Sequence, residues 1–341
     1  MDWKEAQVTA TTADSRRRVR VAVWLQTYNH GPFVGQACSG ILRQDFEGEV
    51  VVFAHDDMST DATRSEIERA LTGAPFAVHR IFQTENQYSQ KNHPLDFIPD
   101  DQEFDYFVMC EGDDFWSDPQ KLQRQVDALE QRPSLDLSFH PARVVDSHDR
   151  FARRSGVYAD HEAVIPFRDV ALQSFGNIST ATLMLRWGAL RETVAFCRPR
   201  PYLGIRDAYL KLFGSRRGGA AFVPQTMATY RLGVQGSWTD RQRAPEARRN
   251  HAVARLRGLH EFNAVTAGVH EAEIRRVRKE WLKRLVRISE LSMSERWRLL
   301  LAQRPTLSRA DFLSGSVALA AAEPRSRVAT MARRLARGTD A

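Results

Sequence analysis

Short apolar runs separated by stretches of helical spacing dominate the first 140 positions of the chain. Val19 to Gln26 (Val-Arg-Val-Ala-Val-Trp-Leu-Gln) reads as a first strand. Behind it, Pro32 suits a first helical position, and Phe33, Val34, Ala37, Cys38, Ile41 and Leu42 recur at helical spacing. A second strand, Val50 to His55, precedes a helix marked by Thr63, Ile67, Ala70 and Leu71, and Phe76 to Phe82 gives a third strand. Tyr106 to Cys110 is uniformly apolar, as fits a central strand covered on both faces. Asp118 and Pro119 then supply an N-cap and first position for a helix carrying Leu122, Val126 and Leu129. Such alternation predicts an α/β fold: a Rossmann-like, mainly parallel sheet with helices on both faces.

In open sheets of this class, ligands sit outside the carboxyl ends of the strands. Three of those ends are polar here: Thr27-Tyr28-Asn29, Asp56-Asp57 and Glu111-Gly112-Asp113-Asp114. Taken singly, each is also what a strand-to-helix turn rich in capping Asp looks like. Two adjacent aspartates repel, so their pKa values rise unless a cation or hydrogen-bond donors compensate. Mg²⁺ or Mn²⁺ on diphosphate oxygens supplies that compensation, since these hard ions prefer carboxylate and phosphate oxygens. Together, an aromatic ring, a carboxylate and a metal-type pair on one rim suit a base, a ribose and a diphosphate.

The overall composition of the 341 residues, 43% hydrophobic and 27% charged, is that of a globular chain. The small-apolar run from Ser316 to Ala322 is far short of the ~20 residues of a membrane span. Met1-Asp-Trp-Lys-Glu lacks the basic-then-apolar pattern of a secretion signal, so a cytoplasmic location is expected. Cys38, Cys110 and Cys197 show no zinc-site spacing and fit reduced thiols. The net charge of +7 is uneven: from position 241 onward there are 22 Lys and Arg against 10 Asp and Glu. That shift divides the chain into a loose lead-in (1–18), an α/β domain (19–240, with halves 19–140 and 141–240) and a basic helical region (241–341). In the last, Ile274, Val277, Trp281, Leu285 and Ile288 form a stripe among Arg275, Arg276, Arg278, Lys279, Lys283, Arg284 and Arg287. The stripe can pack on the domain, or the helix can dock at the inner face of an anionic membrane. Arg325 to Arg337 repeats the pattern more weakly.

Three segments in order, Val21 to His30, Val51 to Asp61 and Cys110 to Leu122, together resemble glycosyltransferase family 2, the inverting nucleotide-sugar enzymes of the GT-A fold. The resemblance covers roughly 19–240. It implies that Thr27 and Tyr28 lie at the nucleobase, that Asp57 bonds the base, and that Asp113 faces the ribose or the metal. Asp114 is implied as the metal ligand on the diphosphate, with Mg²⁺ or Mn²⁺ as the ion. Asn86 to Asn92 falls at a nucleotide-contacting loop, where Lys91 is either a phosphate partner or a solvated surface lysine. Asn177 to Arg186 looks like a strand, and Tyr202 to Phe213 like a loop entering a helix with Asp207 in its first turn. By the resemblance Asp207 is the general base; by itself it is equally a helix-dipole partner. Val223 to Trp238 resembles the closing strand and flexible loop, but Leu232-Gly233 stands where some relatives carry a metal-approaching histidine. The Gln-x-x-Arg-Trp signature of processive synthases is missing, which favours addition of a single sugar.

The function expected is metal-dependent, inverting transfer of one sugar to a hydroxyl acceptor, a glycan or lipid-linked glycan, in polysaccharide or glycoconjugate synthesis. A sugar nucleotidyltransferase needs a Gly-rich, basic loop after the first strand, which Thr27 to Gly31 does not provide. Nucleic acid is not an expected partner, since the basic tail has neither a zinc-finger pattern nor interleaved aromatics. A non-catalytic nucleotide-sugar binder keeps the same rim and differs only in forming no product.

Overall fold

The apolar runs form the first strands of one sheet in the computed structural model, which describes residues 18–203, 206–234, 237–288, 291–304, 307 and 309–320. The expected lead-in up to 17, loop positions 235–236 and the basic stretch 325–337 lie outside the described residues. Strands β1 (Arg20–Thr27), β2 (Glu49–Asp56), β3 (Ala77–Phe82) and β4 (Tyr106–Glu111) lie parallel in the order β3-β2-β1-β4. Helices α1 (Val34–Leu42), α2 (Thr63–Leu71) and, beyond the two-residue β5 (Phe115–Trp116), α3 (Lys121–Glu130) cover them. Asp118 caps a turn instead of the helix itself: its Oδ1 accepts from the Gln120 amide at 2.8 Å, and α3 starts one residue later.

The second half adds short strands. β6 (Leu137–Phe139), β7 (Ala142–Val145), β8 (Phe151–Ser155) and β9 (Ala163–Ile165) precede α4 (Phe167–Leu172), β10 (Met184–Arg186) and α5 (Trp187–Cys197). Then come α6 (Asp207–Ser215), β11 (Ala220–Phe222) and β12 (Ala228–Arg231). The main sheet runs β3-β2-β1-β4-β10-β6-β11-β9, with β10 antiparallel to both neighbours, and β5-β12-β7-β8 make a second sheet. The strand expected over Asn177 to Arg186 is only three residues long, because Thr180–Thr182 form a single 3-10 turn ahead of it.

Side-chain alternation along β4 sorts its residues between two cores. Tyr106, Val108 and Cys110 pack with Val23, Val34, Ile41, Leu122 and Val126 on one face. Phe107 and Met109 pack with Trp24, Phe53 and Leu185 on the other. Both faces are therefore dry, which is why the strand reads as a continuous apolar run.

The C-terminal helices are α7 (Trp238–Arg241), α8 (Pro245–Val265), α9 (Glu271–Val286), α10 (Met293–Gln303) and α11 (Arg309–Ala320). Leu259 and Phe262 of α8 and Ile274 and Val277 of α9 share a core with Phe167, Phe196, Tyr209 and Phe213. Ile274, Val277, Leu285 and Ile288 are buried, so the α9 stripe is spent on packing and presents no apolar face for insertion into lipid. Arg278, expected among the solvated charges, is buried too, while Arg275, Arg276 and Lys279 are exposed. Among the described residues no helix is long and apolar enough to cross a membrane.

Helix α8 approaches α6 so closely that a Cβ on Gly258 would lie 1.9 Å from Tyr209 Oη and 2.5 Å from Leu203 Cδ2. Gly258→Ala is therefore expected to lower unfolding stability by about 1–3 kcal/mol, the usual cost of overpacking. A urea midpoint equal to wild type would contradict the close approach.

Candidate active site

The turn after β4 is fixed from below by one arginine. Arg231, at the end of β12 and 3% exposed, donates its backbone amide to Asp114 Oδ1 at 2.8 Å. Its Nε donates to the Asp113 carbonyl at 3.0 Å and its Nη2 to Gln36 Oε1 at 2.6 Å, while Nη1 pairs with Asp149. The guanidinium also sits 4.5 Å from the Phe33 ring centre. Asp114 is 1% exposed and its carboxylate points into this clamp, not into the cleft. Burial, with the charges of Asp113 and Glu111, pushes its carboxyl well above the usual range.

Strand alternation as far as Glu111, and the turn closed by the Asp114 amide on the Glu111 carbonyl at 2.9 Å, decide what faces the cleft. Met109, Glu111 and Asp113 line one cavity of about 450 Å³, and Asp114 does not. Gly112 is needed between them, because a Cβ there would meet Thr27 Cγ2 at 2.7 Å and His30 Nδ1 at 2.8 Å. His30 Nε2 in turn lies 3.8 Å from Asp113 Oδ1. Burial, then the charges of Asp113 and Asp207, raise Glu111 to about 8.

The other strand ends complete the rim. Thr27, the last residue of β1, and Tyr28 after it both line the cavity; Tyr28 is 41% exposed. The Thr27 hydroxyl donates to the His55 carbonyl at 2.9 Å and lies 3.0 Å from Asp56 Oδ1, which ties β1 to β2. Asp57 also lines the cavity, but its carboxylate is engaged: Oδ1 accepts from the Gln87 amide at 2.7 Å and Oδ2 from the Tyr88 amide at 3.1 Å. It thereby shapes the loop that brings Asn86, Tyr88 and Ser89 to the cleft. Lys91 is not among the lining residues; it is exposed, at a turn with φ 67°. At the outer edge Arg241 lines the cavity with its guanidinium 4.7 Å from the Tyr88 ring centre.

The same cavity is lined by Asp207, the first residue of α6, where the helix dipole favours an anion. One turn on, the buried Lys211 ammonium donates to Asp207 Oδ2 at 2.9 Å and to the Ile178 carbonyl at 3.0 Å. Burial pushes the Asp207 carboxyl up, but Lys211, with help from Arg255, holds it below the usual value. The group is therefore ionised at neutral pH. His93 also lines the cavity; burial and the Arg206 charge hold it at about 3, so its ring is neutral, and its Nδ1 accepts from the Leu95 amide at 3.2 Å.

Of the residues singled out from sequence, Thr27, Tyr28, Asp57, Asp113 and Asp207 converge on one cavity, whereas Asp114 and Lys91 do not. Glu111 was passed over although strand alternation carries the signal, since it follows Phe107 and Met109 along β4; Asp113 and Asp114 lie in the turn beyond the strand, where that period no longer holds. His30, His93 and Arg241 carried no motif that sequence reading could weigh.

The residues 23–191 match the family model described as Glycosyl transferase family 2. This segment belongs to glycosyltransferase family 2. An uncharacterized Mycobacterium tuberculosis (H37Rv) protein, Rv1520, is 29% identical over 243 residues, which are 68% of this chain and 66% of that one. The chain thus spans just under two thirds of that curated relative. Among solved structures, S. aureus TarS residues 1–349 superposes with a TM-score of 0.56 at 16% identity, over 87% of this chain and 81% of that one. The same TarS fragment in complex with UDP gives 0.51 at 16% identity, over 88% and 90%. At that identity the likeness is one of fold, and the fold is the GT-A glycosyltransferase type.

The Arg231 clamp predicts opposite stability effects for two adjacent aspartates in metal-free protein. Asp114→Ala leaves the Arg231 amide unpaired and should cost ~1–3 kcal/mol, while Asp114→Asn, which keeps an acceptor, should stay near wild type. Asp113→Ala removes one member of a repelling cluster and should not lower the melting temperature. Equal losses for both alanine variants in thermal denaturation would contradict the placement.

Proposed function

We propose that this glycosyltransferase moves one sugar from a nucleotide-diphosphate sugar to a hydroxyl acceptor with inversion at the anomeric carbon. The observation that carries the proposal is the convergence of Tyr28, the Glu111 and Asp113 carboxylates, and Asp207 on one cavity within and beside the family segment. Tyr28, exposed at the outer end, offers its ring face to a base. Arg241, at the rim, is placed for phosphate oxygens. That TarS, which shares the fold, is solved in complex with UDP supports a nucleotide as a ligand.

Inversion in one displacement needs a base on the face opposite the departing diphosphate. Asp207 suits that role because it is ionised and lines the same cavity as Glu111 and Asp113. The lowered pKa makes it a modest base that is always available, and its Oδ2 is held by Lys211. Lys211 thereby orients the carboxylate and keeps it charged.

A divalent cation fits the turn after β4. Glu111 and Asp113 are hard oxygen donors on one side of the turn, and the rise of Glu111 to about 8 records repulsion that a cation would relieve. Among the described residues no three His, Cys, Asp or Glu side chains gather as a metal site, so phosphate oxygens and water would complete the shell. Such an ion, Mg²⁺ or Mn²⁺, supplies neutralisation of the charge that builds on the leaving diphosphate. In this reading Asp114 supports the turn and does not ligate.

A thermal-shift screen of nucleoside diphosphates and nucleotide sugars with and without Mn²⁺ tests the donor half, because a tight ligand raises stability with the logarithm of its concentration. At least one diphosphate should stabilise in an Mn²⁺-dependent way, and none doing so would end the proposal. Asp207→Asn should retain donor binding and lose transfer by roughly 10² to 10⁴-fold, as for loss of a general base; near-normal turnover would remove Asp207 from that role. Tyr28→Ala should weaken nucleotide affinity more than it changes the chemical step.

Acidity should couple to the ion. Glu111 holds a proton up to about pH 8 without metal, so Mn²⁺ must displace it, and Mn²⁺ affinity in the presence of nucleotide should climb from pH 6 to 8. By the same shift, stability of the metal-free fold should fall as pH rises through that window, because the folded state binds more protons than the unfolded one. A flat Mn²⁺ affinity profile would contradict Glu111 as a ligand.

A further inference from the structure

A second cavity, of about 510 Å³, adjoins Asp207 between the α4 end of the domain and helices α8 and α9. Among the described residues Asp207 alone lines both this cavity and the one holding Tyr28, Glu111 and Asp113. The two cavities therefore meet at this carboxylate. An alcohol anchored in the second can extend its hydroxyl past Asp207 toward the donor, which the attack requires, since the oxygen must lie between the base and the anomeric carbon.

The chemistry of the lining is specific. Glu280 is matched by Lys283 at 2.7 Å and Asp207 by Lys211 at 2.9 Å. Arg255 and Arg284, by contrast, have no carboxylate within salt-bridge distance among the described residues. Arg255 is 4% exposed, and its Nε and Nη1 are buried without a hydrogen-bond partner, an expensive arrangement for a guanidinium. Its charge is flanked by the rings of Tyr209 and Trp281, at 4.9 and 5.6 Å from their centres. Arg284 lies 4.6 Å from the Trp281 ring centre at the exposed side. Through His251, Glu280, Trp281 and Arg284 the cavity continues into another of about 610 Å³ that adds Arg248, Lys283 and Arg287. A buried guanidinium with two unpartnered nitrogens and an exposed one, beside an indole and along a basic extension, match an alcohol bearing phosphate.

We propose that the acceptor is a sugar or polyol phosphate whose anionic group is held by Arg255 and Arg284 while its hydroxyl meets Asp207. This deepens the function proposed above and rests on it. In the step, the acceptor O–H proton passes to the Asp207 carboxylate, the acceptor oxygen bonds to the anomeric carbon, and the bond from that carbon to the diphosphate oxygen breaks with its electron pair on the diphosphate. Nothing is oxidised or reduced. Trp281 offers a ring face to the acceptor's carbon skeleton, and the basic extension receives further phosphates of a longer acceptor. The same chemistry is carried by a soluble polyol phosphate and by a phospholipid headgroup.

The test uses the full chain loaded with Mn²⁺ and UDP or GDP, whichever binds more tightly, so that the donor side is blocked. Calorimetric titration compares glucose 6-phosphate with glucose and glycerol 3-phosphate with glycerol. Each phosphate should bind at least about tenfold more tightly than its neutral partner, a difference of ~1.4 kcal/mol. Arg284→Glu, an exposed change, and Arg255→Lys, which keeps the charge but loses the fork, should each abolish that preference while the nucleotide affinity stays at wild type. Sedimentation with phosphatidylglycerol vesicles, against phosphatidylcholine alone, separates the sources: Arg284-dependent capture assigns the lipid headgroup, and its absence beside tight glycerol 3-phosphate binding assigns a soluble or polymeric phosphate. Equal affinities for phosphates and neutral alcohols, or a preference that survives Arg284→Glu, would overturn the proposal and leave the donor reading standing. Failure of both nucleotides to bind would instead overturn the donor reading and this one together.

Discussion

The hold of Arg231 on the turn after β4 is the constraint on which the site depends. One residue supplies a backbone amide to Asp114, a side-chain donor to the Asp113 carbonyl and further contacts to Gln36 and Asp149. Because the guanidinium is buried, losing a partner would leave a charge stranded, which commonly costs several kcal/mol. The turn is thereby kept in the one register that presents Glu111 and Asp113 to the cleft. Asp114, acidic and adjacent, is buried with its Oδ1 on the Arg231 amide.

Opposed shifts meet in the same cavity. Burial, then the charges of Asp113 and Asp207, raise Glu111, a strain that a cation would relieve. Lys211 lowers Asp207 and keeps it charged. Carboxylates pushed in opposite directions suit two different tasks, charge neutralisation and proton acceptance. The C-terminal helices join this arrangement directly: α8 and α9 share a core with α4, α5 and α6 and line the second cavity at Asp207. Their basic composition is then a feature of a binding cleft as well as of a surface.

Much of the fold was legible in the sequence because its strands are dry on both faces and its helices carry one apolar side. The order β-α-β-α-β and the Tyr106 strand follow from those periods alone. The short strands of the second half were not, since a strand of three residues such as Met184–Arg186 has no period to detect. In the site, Thr27, Tyr28 and Asp57 stand at strand ends that read as a polar rim, whereas Asp207 was implied by the resemblance and its helix start alone suggested no more than a dipole partner. Asp114 was implied as a metal ligand by the resemblance; its carboxylate accepts from the Arg231 amide and does not line the cavity, a placement that depends on how β12 meets the turn. The partners of Asp57 and the exit of Lys91 from the cleft depend on how the loop from Asn86 folds, which no local pattern encodes. The recruitment of Arg255 and Arg284 to Asp207 likewise spans distant segments of chain.

Anomalous diffraction at the manganese edge from crystals grown with Mn²⁺ and a nucleoside diphosphate tests the central claim most directly. The account predicts a peak bonded to Asp113 and Glu111 on the side of the turn facing Asp207, with Asp114 still bonded to the Arg231 amide. A peak on Asp114, with the Arg231 contact broken and Glu111 turned away, would contradict it.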